Sequence, residues 1–417
     1  MKNLGDLFLQ AIIVLLMTLL MGLAGSGPAG AGEETLVDGV VHVRNQDKPA
    51  SGVETLKCQE QWRIGSNDEI LLGVISQAVT DKDGNVYLLD RQLSQIQVYA
   101  PDGTYIRTLG REGDGPGEFR RGANLIILPD GRIGVGQLMP SGVVVLNPDG
   151  TPGSSIEFDG GDPGSDSFFF LDNLACRGSY MAISGRQLQR VPQGMNRVRF
   201  IAAVEFNGNE KHRIIEDSGP DPVVSRRFVE KDEYFASPGG WALGPDGKIF
   251  TAESRDQYAV TVYAPDGRRV RVIEREFEPL KRTAEEKGRV GQNLVAIVNG
   301  ERIQFDIIAE DYAECISSLY VFDNGELWVL TPRGTHAQPK GVMQTFDVFD
   351  ADGNFIHQAE VACEGNAESD RVIFLDDERM ILVKGFNDAV RGMTGASDEE
   401  EAKEPVELEV ICYRIST

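Results

Sequence analysis

The sequence predicts an all-β fold, a six-bladed β-propeller made of four-stranded antiparallel blades. Three observations indicate this fold class: a repeated pattern of short strands and tight turns, 47 glycines in 417 residues without the three-residue period of collagen, and 41% hydrophobic residues, enough for a large core. A single four-stranded sheet has two apolar faces and is not stable alone. Copies of this length must therefore stack around an axis.

The first copy of the repeat occupies residues 74–109. Two Asp-Gly turns, ending at Gly84 and Gly103, separate apolar segments of strand length. In the second copy the corresponding turn glycines are Gly131 and Gly150, and each lies 47 residues after its counterpart. Because both turns shift by the same interval, the pattern is a true internal period.

Four further copies follow, and the last is incomplete. It lacks a fourth strand, and residues 56–64, just ahead of the first blade, supply a candidate. We expect this segment to pair with residues 406–415 and close the ring, because closure removes an exposed sheet edge. Residues 37–44 are predicted to add a further edge strand. The later copies span residues 176–215, 241–273, 317–361 and 371–415.

The predicted pairing of the terminal segments would place two cysteines close together. Antiparallel strands pair start to end, so Cys58 is expected near Cys412, and a disulfide between them is predicted. Cys363 is an alternative partner for Cys58. The chain has five cysteines, so at least one stays unpaired, and none lies in a C-x-x-C motif of the kind found in zinc or redox sites.

The N-terminal segment has the features of a targeting signal. Residues 7–23 are almost wholly apolar, and a run of small residues follows that contains Ala29 and Ala31. We expect a signal peptide at 1–31, cut after Ala31, then an N-terminal extension at 32–55 and the propeller at 56–417, interrupted by an insertion at 278–309. The protein would then be periplasmic or extracellular. The alternative is an uncleaved anchor, the one case in which the chain would contact a membrane.

The charge balance excludes one class of partner. The chain carries 65 acidic and 41 basic residues, a net charge of −24. A surface of this charge repels phosphate backbones, so nucleic acid is not expected as a partner.

One blade resembles a known type of repeat. Residues 86–119, VYLLDRQLSQIQVYAPDGTYIRTLGREGDGPGEF, are similar to the NHL-type propeller repeat, with a strand, a D-G turn and a glycine-rich segment that ends in Phe119. The resemblance is also good over residues 241–273 and 318–361. It implies an exported bacterial six-bladed propeller, related in architecture to TolB-like propellers. Because one fold hosts many functions, it implies a fold and not a reaction.

Catalytic relatives of this architecture define the alternative function, a metal-dependent hydrolase or lyase. Amidating-lyase-like propellers hold a metal with several histidines, but of the four histidines here only His336 lies in a loop able to reach the axis. Lactonase-like propellers bind calcium through Glu, Asn and Asp side chains. Calcium is thus the one cofactor the residue types allow, and no catalytic or metal-binding residue is assigned. The residues of suitable type are Glu253, Asn173, Asn324 and Asp90.

Basic residues recur at one position of the repeat. The loop between the second and third strands carries a cation in five of the six blades, and blade two has Gln137 instead. These loops lie around a channel mouth, so the cations would form a positive funnel for a carboxylate, an acidic sugar or an acidic peptide, free or on a protein partner. Alternatively, each cation pairs with a nearby carboxylate. The predicted function is therefore an exported binding or interaction propeller. The five cations are Arg91, Arg186, Arg255, Arg333 and Lys384.

Overall fold

The computed structural model describes ten ranges of the chain. The predicted signal segment, residues 1–31, lies outside them. Within them, no helix combines the length and the apolar character needed to span a membrane. The described residues are 32–65, 71–138, 140–158, 166–192, 194–236, 239–291, 294, 297–298, 301–394 and 408–416.

Three strands precede the first blade, and three four-stranded blades follow in sequence order. The early strands are β1 (Glu33–Val37), β2 (Val40–Asn45) and β3 (Val53–Gly65). Blade one contains β4 (Ile75–Thr80), β5 (Val86–Asp90), β6 (Gln95–Tyr99) and β7 (Tyr105–Leu109). Blade two contains β8 (Asn124–Ile127), β9 (Ile133–Gln137), β10 (Gly142–Leu146) and β11 (Ile156–Glu157). Blade three contains β12 (Ser167–Arg177), β13 (Tyr180–Val191), β14 (Gly194–Val204) and β15 (Glu210–Pro220).

The second half of the chain holds three blades and an insertion. Helix α1 (Pro222–Ser225) and β16 (Arg227–Val229) lead to blade four, which contains β17 (Trp241–Leu243), β18 (Ile249–Thr251), β19 (Ala259–Tyr263) and β20 (Arg269–Arg275). The insertion contains α2 (Ala284–Arg289), β21 (Ile297–Val298), β22 (Glu301–Arg302) and β23 (Asp306–Ile308). Blade five contains β24 (Ser318–Val321), β25 (Leu327–Leu330), a 3-10 turn (Pro332–Gly334), β26 (Gln344–Phe349) and β27 (Phe355–Ala362). Blade six contains β28 (Arg371–Phe374), β29 (Arg379–Lys384), α3 (Phe386–Thr394) and β30 (Glu409–Ser416).

Tight turns with glycine at a fixed position connect the strands, as predicted. Gly84, Gly103, Gly131 and Gly150 all have φ between 82° and 89°, a region that favours glycine. In each turn the glycine N–H donates to the carbonyl three residues earlier, for example from Gly84 to Asp81 at 3.0 Å. The equal spacing of these glycines in the sequence therefore reflects equivalent turns in consecutive blades.

Six apolar clusters hold the blades together, one between each pair of neighbours. Adjacent residues of one strand point to opposite sheet faces, so Leu88 packs toward blade six while Leu89 packs toward blade two. The cluster that joins blade six to blade one includes Ile381 and Val383. With blades two to six linked in the same way, the fold is a six-bladed propeller.

Blade three is longer than the sequence predicted. The expected copy spanned residues 176–215, whereas β12 begins at Ser167 and β15 ends at Pro220. The additional residues of β12 alternate inward and outward, and Phe169 and Leu171 are buried against blade two. The blade is longer because each of its four strands has 11 or 12 residues, more than any strand of blades one and two.

The early strands add to two of the blades. Strand β2 pairs in parallel with β20, and the β1–β2 hairpin thereby extends blade four. Strand β3 has a partner on each side: it is parallel to β27 of blade five and antiparallel to β30 of blade six. Blades five and six therefore share one continuous sheet of eight strands.

The register between β3 and β30 corrects the predicted disulfide. Cys58 lies opposite Ile415, and Cys412 lies opposite Trp62. The two cysteines also face different clusters, since Cys58 packs between blades five and six and Cys412 packs between blades six and one. All five cysteines are free thiols, and the sheet itself separates Cys58 from Cys412.

Trp62 anchors β3 to blade one, and its truncation should be costly. The indole stacks on Tyr99 at 5.9 Å between ring centroids, and its Nε1 donates to the Pro101 carbonyl at 3.2 Å. We expect Trp62→Ala to lower the free energy of unfolding by about 3–5 kcal/mol, the usual cost of deleting a buried aromatic side chain. Urea denaturation measures this change. The exposed neighbour Gln61→Ala is the matched control, and equal effects of the two variants would contradict the anchoring role.

Candidate functional site

The channel has two ends, formed by different connections. The loop end carries the loops between second and third strands and the crossovers between blades. The turn end carries the turns between first and second strands, such as the one at Gly84. The sequence placed the candidate site at the loop end.

Arg255, one of the predicted loop-end cations, is buried and neutralised. Its side chain is 4% exposed, pairs with Glu230 and Asp256 at 2.9 Å each, and donates to the Tyr312 carbonyl at 2.5 Å. Burial raises the pKa of Glu230, but hydrogen bonds from Arg255 and Arg282 outweigh burial and hold that pKa below its usual value. This network fixes the insertion against blade four and leaves Arg255 no exposed donor for a ligand.

Three more of the predicted cations also have carboxylate partners. Arg186 lies inside β13 and not in a loop, and its guanidinium stands over the Phe170 ring at 5.1 Å. Arg333 also donates to the Glu278 carbonyl at 2.6 Å. The ion pairs are Arg186–Asp172 (3.3 Å), Arg333–Glu278 (3.7 Å) and Lys384–Glu409 (3.4 Å).

Arg91 is the exception among the five. It forms no ion pair with a carboxylate in the ranges that the structure describes, and its Nε is buried without a hydrogen-bond partner. Burial lowers the pKa of Arg91, and the nearby positive charge of Arg121 lowers it further. The adjacent Asp90 instead accepts backbone N–H groups, including that of Gly73 at 2.7 Å. The interpretation as an unneutralised ring therefore needs correction, since four of the five cations are paired.

Some of the residues considered for a metal take part in other contacts. Glu253 accepts hydrogen bonds from Thr251 and Tyr263, and Asn173 accepts one from Asn124. His336 lies 3.7 Å from Glu286 of α2. Across the described part of the chain, no three His, Cys, Asp or Glu side chains form a group that could hold a metal ion.

A cavity lies at the opposite end of the channel, the turn end. This axial cavity has a volume of about 570 Å³, and the first strand of every blade contributes to its wall. Most of the lining residues are apolar, but several of their side chains, such as those of Leu125 and Leu174, are buried between the blades, so the wall has polar as well as apolar surface. One lining residue per blade is given in chain order: Val79, Ile127, Leu174, Ala242, Val321 and Phe374.

Arg177 crosses the mouth of the axial cavity. It ends β12 in blade three, donates to the Val321 carbonyl of blade five at 2.8 Å, and forms an ion pair with Asp323. Blades three and five are not neighbours, so the side chain must span the opening in front of blade four. The pair is partly exposed, 33% at Arg177 and 67% at Asp323.

The other charged groups at this mouth already have partners. Asp377 accepts the backbone N–H groups of Asp323 at 2.8 Å and Asn324 at 3.1 Å. Asp376 pairs with Arg379 at 2.7 Å. Arg177 is the one cation among the described lining residues, and its carboxylate partner is largely in solvent.

Sequence reasoning missed Arg177, although a signal was present. The first turns of blades one, two and four carry an aspartate before glycine, as at Asp83 or Asp246, whereas blade three has Arg177 before Gly178. The substitution of a cation for the usual turn aspartate marks this position. What the sequence did not reveal is that the Arg177 side chain reaches across the axis.

Comparisons with known proteins agree on the fold class. Residues 63–139 match the model of the DUF5128 family, described as a 6-bladed beta-propeller. No curated protein sequence matches the chain.

Solved structures similar to this chain come from several bacteria. A Bacteroides fragilis protein described as exported is 12% identical, with 90% of this chain and 100% of that chain covered and a TM-score of 0.45. Regucalcin from Agrobacterium tumefaciens, a calcium-binding protein, is 10% identical, with 87% and 97% covered and a TM-score of 0.42. Virginiamycin B lyase from Staphylococcus aureus is 12% identical, with 86% and 99% covered and a TM-score of 0.38.

The ion pairs at the loop end predict unequal effects of two arginine substitutions. Arg255→Ala should destabilise the fold by about 3–5 kcal/mol, because it breaks a buried pair and leaves Asp256 and Glu230 with one cation fewer. Arg333→Ala should cost less than about 1 kcal/mol, since its ion pair is exposed. Chemical denaturation of both variants measures the difference. A small effect at Arg255 would show that this cation is not part of the structural network.

Proposed function

We propose that the protein is an exported binding propeller that takes a small molecule with an apolar body and an anionic group into the axial cavity. The main support for the proposal is Arg177, which lies at the mouth of the axial cavity of about 570 Å³ in a partly exposed ion pair. We place this protein among NHL-like propellers and propose that β3 closes its ring. The Trp62→Ala measurement tests the anchoring of β3.

The wall of the cavity suits the apolar part of such a ligand. Ligand sites commonly enclose about 300–1,000 Å³, are mostly apolar and hold a few polar groups that fix orientation. Burial of a ligand against the exposed apolar part of the wall contributes about 25 cal/mol for each Å² of apolar surface removed from water. The wall therefore supplies affinity without selecting a particular chemical group.

Arg177 supplies the selectivity for charge. Its pair with Asp323 is exposed and contributes about 0–1 kcal/mol at most, so a ligand carboxylate can replace Asp323 at little cost. A guanidinium also offers two parallel N–H groups to a carboxylate or a similar anion. The anionic ligand expected at the loop end is thus proposed for the turn end, where Arg177 lies at the mouth of the axial cavity.

The alternative function, a metal-dependent hydrolase or lyase, has no specific observation in its favour. It needs a group of metal ligands at a channel mouth, and in the described ranges no three His, Cys, Asp or Glu side chains form such a group. Binding is accordingly the function that we propose.

Two dyes that differ in charge can test the site. 1-Anilinonaphthalene-8-sulfonate has an apolar body and an anionic sulfonate, and N-phenyl-1-naphthylamine has a similar body without the sulfonate. Arg177→Gln should weaken binding of the anionic dye about tenfold or more, because a hydrogen bond to a charged group contributes about 1.5–3 kcal/mol. Binding of the neutral dye should not change. Fluorescence titration at low salt measures the affinity for each dye. Added salt should weaken binding of the anionic dye only.

A second pair of variants tests the location. Thr80 lines the mouth, so Thr80→Trp should reduce binding of both dyes. Thr104→Trp introduces the same side chain in an exposed turn and should leave both affinities unchanged. Equal behaviour of the two tryptophan variants would place the dyes elsewhere, and an unchanged affinity of the anionic dye in Arg177→Gln would refute the role of Arg177.

Export makes a separate prediction about the N-terminus. If the segment 1–31 is a signal peptide, the mature chain begins at Gly32, whose backbone N–H donates to Asn354 at 3.0 Å. N-terminal sequencing of the protein recovered outside the cytoplasm should read GEETLV. Recovery of the full-length chain in the membrane fraction would instead support the uncleaved anchor.

A further inference from the structure

We propose that Cys58 of β3 and Cys363, the residue that follows β27, form a disulfide that ties the N-terminal strand to blade five. In the parallel register Leu56 lies beside Val361, and Lys57 lies beside Ala362. The next position on each strand is a cysteine. Neighbouring strands are about 4.8 Å apart, within the Cα separation of about 4.4–6.8 Å that a disulfide requires.

The two thiols also share one face of the sheet. Side chains repeat with a period of two, so Cys58 points with Leu56 and Cys363 points with Val361. Both cysteines pack against the cluster between blades five and six, and Cys363 Sγ lies 3.7 Å from the Met343 sulfur. Each cysteine is half-buried, which leaves the pair accessible to an oxidant.

The pKa values of the thiols indicate that Cys58 is the thiol that reacts first with an oxidant. A hydrogen bond with the Cys363 thiol lowers the pKa of Cys58 below its usual value, more than burial raises it. A lower pKa gives more of the nucleophilic thiolate at neutral pH. Burial instead raises the pKa of three other thiols to about 11, which makes them poor nucleophiles. These are Cys176, Cys315 and Cys412, each packed in a different cluster.

The chemistry requires a disulfide donor, either an oxidised thiol–disulfide oxidoreductase or oxidised glutathione. The Cys58 thiolate attacks one sulfur of the donor, the donor S–S bond breaks, and one donor thiolate leaves. The Cys363 thiol then loses its proton and attacks Cys58 Sγ, which releases the second donor thiolate. The pair loses two protons and two electrons, and the donor disulfide is reduced to two thiols.

The cross-link would close a very long loop of the chain. Cys363 follows Cys58 by 305 residues, so the bond greatly restricts the unfolded chain. It would also hold β3 in the sheet that blades five and six share. The oxidising compartment is supplied by the proposed export, but the reaction of the pair in solution does not depend on export.

Oxidation of the folded mature protein with oxidised glutathione tests the pair. After alkylation and digestion without reductant, we expect a single cross-linked species that joins the peptides of Cys58 and Cys363. The intact mass should fall by two hydrogen atoms. The midpoint of thermal unfolding should rise by at least ~3 °C, and a reductant should reverse this shift.

Serine variants supply the control. Cys363→Ser should abolish the cross-link and the reductant-sensitive shift, whereas Cys412→Ser should retain both. Recovery of Cys58 and Cys363 as free thiols, or as separate glutathione adducts, from oxidised wild-type protein would overturn the proposal even if a variant fails to fold. A cross-link that forms in solution but is missing from protein recovered from cells would count against export and leave the pair established.

Discussion

The structure depends on one constraint: every blade is a sheet with two apolar faces, and both must be covered. Each of the six apolar clusters draws side chains from two neighbouring blades, so no blade has a complete core of its own. Leu88 and Leu89 illustrate this, since adjacent residues of one strand belong to two different clusters. A blade is therefore stable only with neighbours on both sides, and the last interface, between blades six and one, matters as much as the others.

The N-terminal strands pair with outer edges of the blades. Strand β3 pairs with β27 through residues 53–57 and with β30 through residues 57–65, so its two halves have different partner strands. Its side chains also contact different blades: Leu56 packs against blade five, and Trp62 packs against blade one. The Cys58–Cys363 contact lies where β3 passes from one partner strand to the other.

Charge is arranged differently at the two ends of the channel. At the loop end, Arg255 is buried in a network with carboxylates and a backbone carbonyl, and it holds the insertion against blade four. At the turn end Arg177 pairs with the exposed Asp323, donates to the Val321 carbonyl and lies beside the axial cavity. The same residue type thus acts as a structural link when it is desolvated and as a candidate ligand group when its ion pair stays in water.

The sequence by itself determined the number of blades, the turns and the order of the strands, because these follow from local patterns. The spacing of Gly84, Gly103, Gly131 and Gly150 is a local property, and a positive φ at each turn is required wherever the chain reverses in this way. Only the tertiary structure decided which side chains meet. The choice between Cys412 and Cys363 as the partner of Cys58 needed the register of β3, and Arg177 could not be placed across the channel without the ring. The physical reason is that these contacts join residues that are distant in sequence, and their geometry is set by how complete blades pack and not by any local pattern.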